Sequence, residues 1–456
     1  VSYLSGQYCH NHGYYGLSGP NPGGLPNIFG HFREHGYTTA ALGKIHCPEY
    51  WVEDQADHFH ETCNCSIDGR SPEYHNFLQE RGKLELEDHG AGRKFGAKGK
   101  QSCDGWPSKL TFDECQEGWI ANKAIELMKL AQEEGKPFCI HTSLPRPHQC
   151  TSPCQEFWDM YDEEMVLPPN TEYDMDAAKK APHMIRSANG WRGDHWAVSE
   201  PKTFEAARQR KMRGYLGAVS QVDAAIGRML DHLRDSGLAD NTLVVYISDH
   251  GDYAAEHGIM EKAPGSCADA ITRVPMIWWG PNVKQGHVVD SIVELIDVVP
   301  TFIRQAGLPD LYTTDGCDLT DLIAGGDEPV KDLGVTEFPW SRSVRKGNYR
   351  LVQYAREFFP EQYPDGFGEL YDLESDPWEM KNLFFDSEHQ GKVIELQQEL
   401  MNFLITTTRP RTTNPPAARF RDKPRQGMIR RYRQDVGPDG KLSPDDLRAM
   451  SFRNYL

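Results

Sequence analysis

The residues best suited to chemistry follow a short apolar stretch at 243–248, which ends abruptly in Asp249, His250 and Gly251. A carboxylate and an imidazole at this position can bind a metal ion, and Gly251 permits the sharp turn required there. A hard dication such as Ca²⁺ prefers carboxylate oxygen, so Asp249 is the stronger candidate ligand and His250 the weaker one. A polar turn after a strand is the plainer interpretation of the same residues.

Four further side chains are candidates for handling an anionic ester. Lys44 and His46 alternate, so on an extended chain they face the same side, as an anion clamp with a proton-transfer partner. Lys262, twelve residues after His250, is placed to bind an ester oxygen or to stabilise a leaving group. His148 follows two prolines that stiffen its approach, which suits a general acid. Taken singly, each is explained more simply as a solvated lysine or a structural histidine.

These residues need a scaffold that brings them together, and the hydrophobic pattern predicts one. Apolar residues at three- and four-residue spacing predict helices at 26–36, 117–134 and 204–236. Short apolar runs predict strands at 37–42, 138–142, 243–248 and 275–279. Their alternation predicts an α/β fold, with a large, mostly parallel sheet sandwiched by helices. The candidate residues then lie at the C-terminal ends of strands, where such folds collect polar site residues.

The chain changes character after about residue 330. Short strands and a closing helix are predicted at 335–338, 342–344, 349–354, 369–373 and 388–405. We therefore expect a catalytic α/β domain at 1–330, a C-terminal subdomain of antiparallel sheet plus helix at 331–408, and a basic tail at 409–456. Two segments without clear periodicity, 63–112 and 149–203, are expected to be long functional or mobile loops.

Charge and composition exclude some classes of protein. The net charge of −18 argues against a nucleic-acid binder, and the chain has no apolar run of about 18 residues that would span a membrane. The tail alone holds twelve Lys/Arg against five Asp, a net charge of +7. A basic tail lying on an acidic body is the simpler interpretation, and a polyanion-binding tail is the alternative. Eleven cysteines cannot all pair internally, and they leave the compartment, the disulfides and the oligomeric state open.

Together these segments resemble the sulfatase family of the alkaline-phosphatase-like superfamily. Residues 1–8 match the second half of the sulfatase signature, which begins Cys-x-Pro-Ser-Arg. Further blocks of the family match at 43–46, 147–148, 248–251, 262, 273–275, 294–301 and 369–377. The order and the spacing of the blocks carry the resemblance, which extends over nearly the whole chain.

The resemblance implies hydrolysis of sulfate esters with a bound divalent metal. Asp249 and His250 would bind Ca²⁺, with Mg²⁺ or Mn²⁺ as alternatives, together with two carboxylates upstream of this chain. The nucleophile would be a formylglycine hydrate, made from the signature cysteine by a formylglycine-generating enzyme. That cysteine should lie just before Val1. We therefore interpret the sequence as truncated at its N-terminus and expect the printed chain alone to turn over little or nothing.

The resemblance also implies roles for the other candidates. Lys44 and Lys262 would hold the sulfate oxygens, His148 would protonate the leaving alcohol, and His46 would orient the nucleophile. Family members are commonly periplasmic or secreted, and many act on sulfated carbohydrate. Our candidates for recognising the alcohol part of the ester are the glycine-rich loop near 90–106 and the segment 183–200, which contains His183, Arg186, Arg192 and His195.

Two other functions stay open at this point. A phosphodiesterase or phosphonate monoester hydrolase of the same superfamily would share the fold and much of the metal site. A binding protein that has lost its nucleophile would share the fold without the reaction. The residue at the nucleophile position, upstream of Val1, would separate these possibilities.

Overall fold

A computed structural model describes residues 1–16, 22, 24–48, 50–62, 72–86, 105–148, 151–192, 204–262, 266–311 and 313–409. The strands are β1 (Thr38–Gly43), β2 (His58–Glu61), β3 (Phe138–Ser143), β4 (Val244–Ile247), β5 (Met276–Trp279), β6 (Leu333–Phe338), β7 (Ser341–Lys346), β8 (Tyr349–Tyr354) and β9 (Gly368–Asp372). The helices are α1 (Ser2–Ser5), α2 (Cys9–His12), α3 (Ile28–Glu34), α4 (Pro72–Glu80), α5 (Gln116–Glu133), α6 (Gln155–Trp158), α7 (Pro182–Arg192), α8 (Phe204–Asp235), α9 (Asp269–Thr272), α10 (Val298–Gln305), α11 (Thr320–Ile323) and α12 (Gln390–Thr407).

A three-stranded parallel sheet, in the order β2-β1-β3, forms the centre of the larger part. All six residues of β1 are buried, and their side chains alternate between two layers of helices. Leu42 packs with α5 and α8, whereas Ala41 packs with α3 and α10. Helices therefore cover both faces of the sheet, which confirms the predicted α/β fold.

The helices form where the periodicity predicts them, and their apolar faces explain why. Ile120 and Leu127 of α5 pack against Met229 and Leu233 of α8. Each such side chain contributes about 1.5–3 kcal/mol when it is fully buried. Asn27 begins α3, because its side chain accepts a hydrogen bond of 3.1 Å from the backbone N–H of Gly30. A cap of this kind stabilises a helix by about 1 kcal/mol.

The second sheet of this part is antiparallel, a detail that the prediction of a mostly parallel sheet did not specify. β4 and β5 pair with each other in antiparallel fashion, with Val244 opposite Trp279. A parallel pair needs a long crossover, usually a helix that covers the sheet. In the described stretches between the two strands, only a 3₁₀ turn and the four-residue α9 occur. This connection does not carry the chain back across the sheet, so β5 returns antiparallel.

The C-terminal part is an antiparallel meander, β6-β7-β8-β9 in chain order. Alternate side chains of its strands, such as Val344, Leu351 and Leu370, form one buried layer with Leu396 and Leu400 of α12. The antiparallel sheet with a closing helix is therefore as predicted. The domain boundaries near 330 and 408 stay predictions, and the tail from residue 410 onward lies outside the described residues.

The pattern analysis missed several elements. β2 reads His-Phe-His-Glu, with one apolar residue and no alternation that would indicate a strand. Helices α4, α6 and α7 fall inside the two segments for which no periodicity was found.

Seven cysteines are free thiols in the described ranges: Cys9, Cys47, Cys115, Cys139, Cys154, Cys267 and Cys317. None of the helices described is both long and apolar enough to cross a membrane.

Candidate active site

The end of β1 presents Lys44 and His46 at the carboxyl edge of the parallel sheet. Gly43 has a left-handed φ of 86°, and a Cβ there would lie 2.0 Å from the carbonyl oxygen of Ser143, so only glycine fits. The backbone N–H of Lys44 then donates to that same oxygen at 2.9 Å. His46 also has a positive φ of 44°, and its N–H donates to Glu61 Oε1 at 3.3 Å. Lys44 and His46 therefore project from a tight turn and not from an extended strand.

The end of β4 presents Asp249 and His250 through a turn fixed by its backbone. Gly251 approaches α9 so closely that a Cβ would lie 1.9 Å from the carbonyl oxygen of Ala270. Its N–H donates to the carbonyl of Ile271 at 2.8 Å. The N–H of His250 donates to Asp249 Oδ1 at 3.0 Å. This segment can therefore hold an imidazole and a carboxylate in fixed positions.

The hydrogen bonds of His250 leave one ring nitrogen as an acceptor. Its Nδ1 lies 2.8 Å from the carbonyl oxygen of Gly251, so Nδ1 carries the proton. Nε2 then accepts from Lys262 Nζ at 3.0 Å and lies 3.5 Å from Asp249 Oδ2. A neutral imidazole held through Nδ1–H is the form that binds metals. Asp249 and His250 thus fit as two ligands of one ion, with an ammonium group next to them.

Electrostatic coupling links these residues to those after β1. Burial by itself would raise the pKa of Asp249, but His250, Lys44 and Lys262 together hold it below its ordinary value. The Asp249 side chain is still 54% exposed, because it faces an open cleft. Burial and the charge of Lys44 lower the pKa of Lys262. The carboxylates of Asp249, Glu261 and Asp252 act on Lys262 in the opposite direction.

His46 lies within the same field. Burial, assisted by the positive charges of Lys44 and Lys262, lowers its pKa to about 4, while Asp249 acts in the opposite direction. His46 is therefore neutral at pH 7, and a neutral imidazole can accept a proton. The two ammonium groups that would attract an anion therefore also help to keep His46 in its neutral, proton-accepting form.

His148 lines the same cleft from the loop after β3. A buried ion pair holds that loop: Arg146 Nη1 donates to Glu117 Oε2 at 2.6 Å, and the N–H of Arg146 donates to Glu117 Oε1 at 3.2 Å. The N–H of His148 closes the turn by donating to the carbonyl of Pro145 at 3.1 Å. His148 is thus carried by a rigid loop on the cleft wall.

Four residues that were not predicted also line this cleft: Val1, Tyr3, Cys47 and His141. Burial lowers the pKa of His141 to about 4, and its Nε2 lies 3.1 Å from the hydroxyl of Tyr3. A histidine in an otherwise apolar strand, two residues before the strand ends, was the available signal for His141.

The two predicted substrate-binding residues Arg192 and His195 are not placed by the structure. Arg192 ends α7, but its side chain lies outside the described residues, as does all of His195. His183, from the same segment, is buried and stacks on Phe359 at a centroid distance of 5.8 Å. The imidazole of His183 is therefore packed among core side chains.

A complete metal site is not formed by the part of the chain that the structure describes. No group of three or more His, Cys, Asp or Glu side chains there is arranged to hold an ion. Asp249 and His250 supply two suitable ligands there, and no third side chain of these types joins them in the described ranges.

Comparisons with known proteins give a consistent result. Residues 1–308 match the family model described as Sulfatase, and residues 255–405 match the model described as N-sulphoglucosamine sulphohydrolase, C-terminal. A choline-sulfatase of Rhizobium meliloti is 27% identical over 398 residues, which covers 84% of this chain and 72% of that protein. An N-acetylglucosamine-6-O-sulfatase of Bacteroides thetaiotaomicron is 30% identical over 221 residues, covering 46% and 37%.

The fold is also found among solved structures. The phosphonate monoester hydrolase SpPMH of Silicibacter pomeroyi superposes with a TM-score of 0.73 at 20% identity, covering 89% of this chain and 85% of that one. This likeness confirms the alkaline-phosphatase-like architecture.

Proposed function

Since the chain belongs to the sulfatase family, whose members hydrolyse sulfuric esters, we propose that this protein hydrolyses a sulfate monoester of a saccharide. The observation that carries the proposal is the convergence of Lys44, Lys262, Asp249 and His250 at one end of a cleft. Two ammonium groups act on the carboxylate of Asp249, so the site concentrates positive charge at that carboxylate on a chain whose net charge is −18. A sulfate monoester is an anion of the size and charge that such a cluster attracts.

Asp249 and His250 would hold a divalent metal, Ca²⁺ by preference and Mg²⁺ or Mn²⁺ as alternatives. The low pKa of Asp249 keeps its carboxylate ionised, and Nε2 of His250 is an acceptor. Bound there, the metal would supply Lewis-acid stabilisation of charge on an ester oxygen. The remaining ligands would come from the segment that precedes Val1.

The side chains of this chain would then divide the work of the reaction. Lys44 and Lys262 bind the sulfate oxygens and offset the charge that grows in the transition state. His148 gives a proton to the leaving alcohol oxygen. His46, neutral because burial and two lysines depress its pKa, accepts a proton from the attacking group.

The nucleophile of the proposed reaction is a formylglycine in the segment upstream of Val1, matured by a formylglycine-generating enzyme. The position of Val1 supports this assignment, because Val1 lines the same cleft as Lys44 and Asp249. A residue a few positions before Val1 is therefore within reach of the cluster. When present, the group supplies an activated hydroxyl for covalent catalysis.

The saccharide part of the proposal rests on relatives. One relative is named for N-acetylglucosamine 6-sulfate, and the family model of the C-terminal part is named for N-sulphoglucosamine. Arg192 and His195 stay our candidates for contacting the sugar. We place the protein in the periplasm or outside the cell, where the family resemblance puts it.

The test is to express the gene from its own start codon together with a formylglycine-generating enzyme. Nitrophenyl sulfate, glucosamine 6-sulfate, N-sulfoglucosamine and a phenyl phosphonate monoester are assayed side by side. We expect turnover of a sulfated sugar, abolished by chelation and restored by Ca²⁺. Preference for the phosphonate, or activity in Asp249→Asn equal to that of the parent, would refute the proposal.

A further inference from the structure

The loop after β3 carries His148 on the cleft wall and is attached to the helix layer at two places. Before His148, Arg146 forms the buried ion pair with Glu117, in the first turn of α5. After it, from Thr151 onward, the chain packs on α8. Residues 149 and 150 lie outside the described residues. His148 is therefore presented by a loop whose two sides are anchored on different helices.

One face of α8 receives the second side of this loop at close range. Gly214, Gly217 and Gln221 follow one another at three- and four-residue spacing, so they lie on one side of the helix. A Cβ on Gly214 would lie 2.3 Å from the carbonyl oxygen of Thr151, and one on Gly217 would lie 2.8 Å from Cγ of Pro153. Glycine inside a helix costs about 0.5–1 kcal/mol relative to alanine. Here it lets the loop approach the helix, and Gln221 is the polar member of the same row.

The side chain of Gln221 joins the two anchors of the loop. Its Oε1 accepts from the backbone N–H of Cys154 at 2.7 Å, and its Nε2 donates to Oε2 of Glu117 at 2.7 Å. This orientation of the amide satisfies both groups, because an N–H needs an acceptor and a carboxylate needs a donor. Oε2 of Glu117 is also the oxygen that accepts from Arg146. Gln221 is therefore bonded to both sides of the segment that contains His148.

Burial makes this network a firm anchor. Glu117 and Gln221 are fully buried, and Arg146 and Cys154 are 5% and 2% exposed. Arg146 Nη2 also donates to the carbonyl of Ser152 at 2.8 Å, which ties the two sides of the loop to each other. Removing one partner from such a network leaves a buried polar group unsatisfied, at a cost of about 1–3 kcal/mol. The loop is thus held by hydrogen bonds that are shielded from water.

We propose that Gln221 is a positioning residue for His148, and that it acts by fixing the loop that presents the imidazole to the leaving alcohol oxygen. It acts through Glu117 and Cys154 from a buried place on α8. This inference rests on the proposed role of His148 as the acid that protonates the leaving group. A proton donor must lie within about 2.6–3.2 Å of its acceptor. A displacement of about 1 Å can lower a rate about 10²-fold.

The test compares two esters that differ in how much the leaving oxygen needs a proton. Phenol has a pKa of about 10, like the tyrosine side chain, whereas nitrophenolate is stable enough to leave unprotonated. Gln221→Met removes both hydrogen bonds at nearly constant volume. In the protein expressed from its own start codon with a formylglycine-generating enzyme, it should lower kcat on phenyl sulfate by about tenfold or more. On nitrophenyl sulfate, kcat should fall by less than about twofold.

The ratio of the two kcat values separates positioning from a general loss of structure, because a smaller folded fraction lowers both values equally. Gln398→Met, at an exposed position of α12, is the matched control and should keep the ratio of the parent. His148→Ala is the reference and should change the ratio in the same direction. A changed ratio in His148→Ala with an unchanged one in Gln221→Met would overturn this inference and leave the sulfatase proposal intact. An unchanged ratio in both would refute the acid role of His148 and this inference with it.

A second measurement does not require turnover. Histidine-selective ¹³Cε1 NMR spectra are recorded, and the His148 signal is assigned by its loss in His148→Ala. In Gln221→Met that signal should be shifted or broadened, while the signal of the distant, buried His183 keeps its position. Gln221→Glu keeps the acceptor for Cys154 but loses the donor to Glu117, and it replaces Gln221→Met if that variant does not fold. An unchanged His148 signal would overturn the inference, whatever the enzyme hydrolyses.

Discussion

Two clusters of charged residues in this protein are similar in composition but differ in their exposure to solvent. One lies where the C-terminal sheet meets the larger part, and it contains Lys180, Glu369, Arg350 and Glu379, all between 1% and 3% exposed. The other is the candidate site, where the side chains of Asp249 and His250 are 54% and 34% exposed. Both contain lysines and carboxylates with shifted pKa values, yet only the second faces a cleft.

We call the first of these the junction cluster, and its charged groups are paired with one another away from solvent. Lys180 Nζ donates to the hydroxyl of Tyr371 at 2.6 Å and to the carbonyl of Glu379 at 3.1 Å. Glu369 accepts from the hydroxyls of Tyr354 and Tyr371 at 3.1 and 2.8 Å. Arg350 pairs with Glu379. Two cations face two anions, so the charges cancel and no ligand is needed.

The candidate site is open to a cleft. Lys44 and Lys262 both act on Asp249, and Lys262 makes one of its contacts to the neutral His250. A perturbed pKa does not by itself mark a functional residue, since burial shifts pKa values in both clusters. Access to solvent distinguishes the two.

The largest expected effect on stability comes from removing one charge from the junction cluster. Glu369→Ala removes the carboxylate next to Lys180 and leaves the buried ammonium group without it. Breaking a buried ion pair in this way lowers the free energy of unfolding by about 3–5 kcal/mol. Urea unfolding monitored by tryptophan fluorescence measures the loss. The exposed pair Lys392–Glu395 provides the control, and Glu395→Ala there should cost less than about 0.5 kcal/mol. Similar costs for the two variants would remove the distinction between the clusters.

The open cluster should show the reverse pattern, with lost activity and retained stability. Lys44→Ala in the protein expressed from its own start codon should lower kcat by about 10²–10³-fold, the usual effect of removing one donor to a developing anion. His148→Ala should have an effect of similar size through the lost proton donor. Thermal unfolding should change little in either variant.

Steady-state kinetics on a sulfate ester measure these effects. Lys392→Ala, at a distant exposed pair, is the matched lysine control and should keep full activity. Near-native turnover in both Lys44→Ala and His148→Ala would refute the assigned site.

Much of this difference could be foreseen from the sequence, and part of it could not. The strands β1, β3, β4 and β5 and the helices α3, α5 and α8 were predictable, because their apolar residues form short runs or repeat with the period of a helix. Asp249, His250, Lys44 and Lys262 were found because they follow predicted strands or match family blocks. The structure adds their coupling through one cleft, although their assigned roles stay predictions.

The features that escaped prediction share a physical cause. The antiparallel pairing of β4 and β5 depends on how the connecting chain returns, and periodicity carries no such information. The closed cluster is built from Lys180 and Glu369, which lie 189 positions apart, so no local pattern joins them. The burial of His183 could not be foreseen, because its aromatic neighbours Tyr354, Phe358 and Phe359 lie far from it in the sequence.

A smaller effect, the dependence of stability on pH, is expected from His183. Burial lowers its pKa to about 4 in the folded protein, against an ordinary value of about 6.5 in the unfolded chain. The unfolded state therefore binds the proton first as pH falls. The stability contributed by neutral His183 is fully present above pH 6.5 and is lost progressively between about pH 6.5 and pH 4.

Between pH 7.5 and 4.5 this loss amounts to about 2–3 kcal/mol for the single residue. His183→Phe keeps the stacking on Phe359 and removes the titratable group. Between pH 7.5 and 4.5, the unfolding free energy of this variant should therefore fall by about 2–3 kcal/mol less than that of the parent protein. Urea unfolding at the two pH values measures the difference, which cancels the shared effect of all other histidines. An identical pH dependence in the two proteins would mean that His183 is protonated when folded, and that the junction cluster is open to solvent as the site is.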